Sequence, residues 1–274
     1  EEKRELISFF KDDNIITIDS WDIMGKLFTQ TSLSSGLEMV YSEMLSFDGC
    51  EVYFYKADWN GVSFGELPFH FTDGVPLGYY NEKDGLRLRP TEDYVMAPED
   101  QVVILAEDDS TINFKSSAIL KPVDLTLSGK RQERKRKDIL ILGWHKLGEI
   151  FIRESYEYLR IGTKIDILFN HPSEELIAKV DEMSNHYENF EITLTNSNPL
   201  KLERLQNINP FGYDNIIILS QSTDELYADK IDSDTLIILL LLRNIKQGSE
   251  REANTKIITQ ILNSDNQEII TQTD

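Results

Sequence analysis

Residues Lys137 to Gly148, KDILILGWHKLG, constrain the fold of this chain more than any other stretch. A short apolar run of the buried type enters a glycine turn, and a helical pattern follows from Glu149 to Leu159. That is how a βαβ nucleotide-binding unit opens. His145 stands where the dinucleotide pattern has its second glycine, whose missing side chain lets the backbone approach a pyrophosphate. A side chain there hinders that approach. The stretch thus predicts a Rossmann-like unit kept for regulation or assembly more than for hydride transfer.

The rhythm downstream extends this reading. Strands are expected at Ile139–Leu142, Lys164–Phe169, Phe190–Leu194, Asn215–Leu219 and Lys256–Leu262. Helices are expected between them, at Glu149–Leu159, Ser173–Met183, Leu200–Leu205 and from about Ser222 to Lys246. Strands separated by helices pair in parallel through right-handed crossovers, which gives an α/β, doubly wound sheet of order 3-2-1-4-5.

Upstream the texture differs. Glu1–Phe10 reads as an amphipathic helix and Ile15–Ile18 as a short strand, with helical turns over Trp21–Phe28 and Gly36–Leu45. From Cys50 to Glu107 the pattern is β, in pieces separated by Gly, Pro, Asn and Asp turns. Residues 1–127 are therefore expected to form a small α+β lobe. Residues 128–137, SGKRQERKRK, form a basic linker, and 138–274 form the Rossmann-like lobe.

A net charge of −20 repels nucleic acid and attracts divalent cations. Cys50 is the single cysteine, so neither a disulfide nor a thiolate metal cluster can form within one chain. The longest apolar run, Leu236–Leu242, is far short of the roughly 20 residues that span a bilayer. Being apolar almost all round, it is expected to be buried on every side.

Candidate ligand contacts gather where a parallel sheet binds its ligands, outside the carboxyl ends of the strands. The turn Gly143, Trp144, His145, Lys146 and Gly148 puts backbone N–H groups at the positive end of a helix, with Lys146 as an added charge. The glycines can equally serve the turn alone. Asn170 and His171 occupy the place where a carboxylate would hold a ribose, which weakens nicotinamide-dinucleotide use. Ser220 closes the fourth strand. Asp224 and Glu225, then Asp229, Asp232 and Asp234, offer oxygen ligands to a hard cation such as Ca²⁺, although helix capping and a solvated surface explain each singly. No nucleophile with an evident base is present, so no catalytic residue is assigned.

The segments ILILGW, ILFN and NIIILSQSTDELYADKIDSDTLIILLLLRNI resemble the regulator-of-K⁺-conductance region of the CASTOR/POLLUX ion channels. The order strand, Ala-Asp, Asp-Ser-Asp-Thr, leucine run and Arg-Asn-Ile over Ile216–Ile245 carries most of the likeness. Val62–Tyr80 and Glu92–Glu107 are similar to the small C-terminal lobe of such a domain. The resemblance implies a non-enzymatic fragment that begins at the tail of one regulatory domain and ends within the next. It further implies a homo-oligomeric gating ring, expected to be a tetramer, on the cytoplasmic face of a membrane. Its partner would be a potassium or other cation pore domain lying before Glu1, with no nucleic acid involved. The ligand is left open between Ca²⁺ and a nucleotide. Two rival readings stay open: a Rossmann NAD(P)-dependent enzyme, and a soluble TrkA-like regulator of a potassium transporter.

Overall fold

The computed structural model describes residues 17–46, 49–120, 136–220, 228–247 and 254–266. Two helices come first, α1 (Ser20–Leu33) and α2 (Leu37–Leu45). Four strands follow, β1 (Glu51–Tyr55), β2 (Val75–Asn81), β3 (Gly85–Leu88) and β4 (Gln101–Ala106). The rest alternates: β5 (Asp138–Leu142), α3 (Lys146–Tyr156), β6 (Thr163–Phe169), α4 (Glu174–His186), β7 (Phe190–Asn196), α5 (Leu202–Ile208), β8 (Asn215–Ile218), α6 (Ala228–Gln247) and β9 (Lys256–Thr259).

The chain divides into two compact units. One comprises Ser35–Arg131, and the other joins Glu1–Ser34 to Gln132–Asp274. The second division falls within the basic run, between Arg131 and Gln132, and α1 packs with the parallel-sheet unit and not with an N-terminal lobe over 1–127. Its apolar residues Trp21, Phe28 and Leu33 cover part of the core beneath α3, and Gly25 is buried at the crossing with Ile150. Its last turn is also held by polar contacts. Asn215 donates to Ser32 O (2.7 Å), Lys137 to Leu33 O (3.4 Å), and Lys256 to Ser34 O (3.2 Å) and Thr31 O. Cations at a helix C-terminus satisfy orphan carbonyls and complement the dipole.

In the second unit the five strands are parallel, in the order β7-β6-β5-β8-β9, which is the predicted 3-2-1-4-5. Ile139, Ile141, Ile165, Ile167 and Ile217 face α3 and α4, while Leu140, Leu142, Ile216 and Ile218 face α5 and α6. Both faces are covered, so β5 and β8 read as nearly unbroken aliphatic runs. Each fully buried Ile or Leu contributes about 1.5–3 kcal/mol of burial.

Three expectations change here. Thr17 and Ile18 lie outside any strand, and Asp19 caps α1 by accepting from Asp22 N at 3.2 Å. The helix after β5 starts at Lys146, because His145 is its N-cap. In α6 the buried stripe is Ile231, Thr235, Ile238 and Leu242, with Leu239, Leu241 and Ile245 half-buried beside it, while Ile237 and Leu240 are exposed. A single helix on one face of a sheet buries one stripe, however apolar its other sides. Glu1–Phe10 and most of the basic linker lie outside the described residues.

The Ser35–Arg131 unit holds an antiparallel sheet of order β1-β4-β2-β3. Val102, Ile104, Ala106 and Tyr79 pack on Trp59, Leu67 and Phe71. Asp100 is fully buried and accepts from Asn81 Nδ2 (2.7 Å), Ala97 N (2.8 Å) and Tyr94 OH (2.9 Å), which offsets the desolvation of its carboxylate. On the opposite face Val52, Phe54, Val75, Leu86 and Leu88 are exposed.

Candidate functional site

At the carboxyl end of β5 the chain turns sharply. Gly143 has φ +93°, and a Cβ there would lie 1.9 Å from Leu219 O on the neighbouring strand exit. This glycine is required by its own backbone neighbours. Gly148, one turn into α3, is covered by the Trp144 indole, whose Cζ3 would lie 2.7 Å from an added Cβ. Trp144 itself is buried in the core. The surface that a pyrophosphate would approach is therefore occupied by a side chain of this protein.

His145 completes the closure. Its Nδ1 accepts from Leu147 N at 3.3 Å, so the neutral ring carries its proton on Nε2. Nε2 is buried and faces the equally buried Gln260 Oε1 just beyond β9, but the approach falls short of hydrogen-bond geometry. Burial pushes the imidazole pKa down to about 4, and the Gln260 carbonyl offsets this only in part. The centre of the His145 ring lies 5.9 Å from that of Trp21, in an edge-to-face arrangement. Lys146 is exposed, with Nζ 5.8 Å from the centre of the Trp21 ring, where it makes a cation–π contact at the helix start.

The residues expected after β6 make contacts of their own. Asn170 is half-buried. His171 is exposed at φ +55°, and its N–H donates to Asn196 Oδ1 at 3.0 Å. These are the contacts of a loop closing β6 against β7.

Of the carboxylates expected as metal ligands, the three among the described residues do not gather into one group. Asp224 and Glu225 lie outside the described residues. Asp232 is fully buried and accepts from Leu262 N (3.0 Å), Asn263 N (2.9 Å) and Asn266 Nδ2 (3.0 Å). Asp229 accepts from Asn263 Nδ2 at 3.0 Å. Both anchor the loop after β9 to the first turns of α6, and Asp234 points elsewhere. Among the described residues no three His, Cys, Asp or Glu side chains form a group that could hold a metal ion.

Asp234 instead lines a cavity of about 300 Å³ at the ends of β5 and β8. Gly143, Leu219 and Ser220 form its floor, Pro199 and Leu200 one wall, and Lys230, Ile231, Asp234, Thr235 and Ile238 of α6 the other. Ser220 is buried and keeps a partner of its own. The place is the one that parallel sheets use, where strand order reverses. Gly143 and Ser220 are among the ligand contacts expected from the sequence, whereas Asp234 is expected there as a cation ligand. Thr235 and Lys230 were missed, although the i, i+4 spacing of Lys230, Asp234 and Ile238 with Ile231 and Thr235 marks one helical face.

Comparison with known proteins defines the class first. A solved structure of the human SLO3 gating ring matches 96% of this chain and 46% of its own, with a TM-score of 0.52 and 14% identity. That likeness is one of fold, an α/β parallel sheet with a smaller antiparallel one. Residues 21–122 match the family described as Castor and Pollux, part of voltage-gated ion channel. The chain is 25% identical over 248 residues to the probable ion channel POLLUX of Arabidopsis thaliana, covering 88% of this chain and 30% of that protein. It is 27% identical over 270 residues to the probable ion channel CASTOR of Oryza sativa subsp. japonica, covering 93% and 29%. The chain is similar to the CASTOR/POLLUX ion channels along most of its length, and it spans about 30% of the length of those proteins. Among the described residues no helix is long and apolar enough to cross a membrane.

Proposed function

We propose that this chain is a regulatory segment of a cation channel, with potassium the expected ion. It works without catalysis, in a homo-oligomeric, tetrameric ring at the cytoplasmic face beneath a pore domain. It senses a small ligand in the cavity between β5, β8 and α6. Three things support the reading: the relatives are ion channels, the fold is shared with a gating ring, and the cavity lies at the strand-order reversal with polar α6 side chains turned into it. The last observation carries it.

A ligand moves a closed–open equilibrium only by its different affinity for the two states, and a tenfold difference is worth about 1.4 kcal/mol. The α6 wall gives such a difference a place to act, because any displacement of that helix changes the cavity. A dinucleotide is disfavoured, since Trp144 and His145 occupy its turn. Ca²⁺ held by Asp229, Asp232 and Asp234 is disfavoured by the amide contacts of Asp232. The experiment is single-channel recording of the full-length protein carrying this chain, with and without Thr235→Trp to fill the cavity. A changed open probability at unaltered conductance is expected. Identical gating in a folded variant would refute the sensor role.

A further inference from the structure

The cavity wall specifies the chemistry of its occupant. Thr235 is 2% exposed, yet its hydroxyl makes no hydrogen bond among the described residues. Helical threonines ordinarily bond back to the preceding turn, as Thr29 does to Gly25 O (2.7 Å) and Thr31 to Leu27 O (2.9 Å). Thr235 lies on the wall of an open cavity, where an occupant can serve as its partner. Lys230 and Asp234 stand one helical turn apart on the same wall, and among the described residues neither forms an ion pair or a side-chain hydrogen bond. The remaining wall is aliphatic, chiefly Leu200, Leu219 and Ile238.

We propose that this cavity binds a small zwitterion with an apolar body, of the class of the aliphatic and aromatic amino acids. The inference rests on taking the cavity as the sensor site and names its ligand. Lys230 receives the carboxylate, Asp234 the ammonium and the Thr235 hydroxyl a second carboxylate oxygen, while the apolar side chain lies on the aliphatic floor. Three competing classes fit less well. A phosphate needs converging N–H groups and cations, but His145 already caps the α3 N-terminus and Asp234 opposes the single lysine. A divalent cation needs several oxygen ligands, and one carboxylate lines the cavity. A dinucleotide exceeds a volume at the lower end of the roughly 300–1,000 Å³ typical of ligand sites.

The test is calorimetric titration of the 274-residue chain with L-leucine and with L-phenylalanine. Saturable binding is expected. It should weaken about tenfold in K230M and again in D234N, since each removes one charge-assisted contact, and fall measurably in T235V, which keeps the shape. Unchanged circular dichroism separates these losses from misfolding. The zwitterion assignment is overturned if neither amino acid binds, if L-leucinamide binds as tightly as L-leucine, or if ADP binds and the same substitutions abolish it. Should amino acids fail to bind while Thr235→Trp still alters channel opening, the ligand class falls and the sensor reading stands. Should they bind without changing channel opening, the sensor reading falls and the site stands.

Discussion

His145 makes the stability of the parallel-sheet unit depend on pH in a calculable way. Its pKa falls from 6.5 in the unfolded chain to about 4 in the fold, chiefly because burial disfavours the imidazolium. As the pH drops below 6.5 the unfolded chain binds a proton that the native one refuses. The stabilisation is thus complete above about pH 6.5, declines down to about pH 4, and is constant below. Between about pH 7.5 and pH 5.5 the loss is about 1.4 kcal/mol, and the full window gives about 3.4 kcal/mol as an upper bound. Protonation also removes the Nδ1 lone pair that accepts from Leu147 N, so the cap is lost with it. His145→Asn preserves an N-cap acceptor but cannot titrate. Urea unfolding of both proteins at the two pH values measures the difference, because their carboxylates contribute equally and cancel. Parallel losses in the two proteins would refute the argument, as would an NMR titration that puts the His145 midpoint near 6.5.

Other perturbations test the same architecture. Gly143→Ala places a Cβ against Leu219 O at positive φ, where no side chain can yield, and a loss of about 3 kcal/mol or more is expected in denaturant unfolding. Asp232→Ala leaves the amides of Leu262 and Asn263 without their acceptor, which should cost about 2–4 kcal/mol and accelerate hydrogen exchange at those two amides. Added Ca²⁺ should not restore it, because the carboxylate serves N–H groups. Lys256→Met releases the carbonyls of Thr31 and Ser34; about 1 kcal/mol of destabilisation is expected, with faster exchange confined to the last turn of α1 and its surroundings.

The sheet was legible because its evidence is local. Ile139–Leu142 and Asn215–Leu219 are aliphatic runs too short for helices, each followed by a helical pattern, and crossover handedness then fixes the order. The four antiparallel strands were legible for a similar reason, since turn residues separate them. The place of α1 was not, because what binds it is distant in sequence: Asn215 reaches Ser32, and Lys256 reaches Ser34. The site was half legible. Gly143 and Ser220 follow from the rule that ligands sit at strand ends, whereas Asp234 reads there as a cation ligand, and the same rule made Trp144 and His145 look like ligand contacts when they fill the turn. Carboxylates at 229, 232 and 234 look alike on the page, and only the fold shows that Asp232 meets three N–H groups while Asp234 meets the cavity. Burial separates their roles, and spacing alone does not encode it.

One consequence of α6 joins these observations. Its first turns carry both the cavity wall, through Lys230, Asp234 and Thr235, and the anchor of the loop after β9, through Asp229 and Asp232. These residues share a rigid helix, so an occupant that displaces the wall also displaces Leu262 and Asn263. The same loop region begins with Gln260, which faces His145 at the α3 N-terminus, and His145 touches Trp21 at the start of α1. A contiguous set of packed and hydrogen-bonded groups thus leads from the cavity to α1, whose far end is gripped by Lys256 and Asn215 of β9 and β8. Coupling through such a set requires that its members have two discrete arrangements and that the ligand favours one of them. Asp232 is where this can be broken most cleanly, because Asp232→Asn alters the loop anchor without touching the cavity wall. Unchanged ligand affinity in that variant, together with loss of ligand-dependent protection at the α1 amides, is the pattern that transmission through α6 requires.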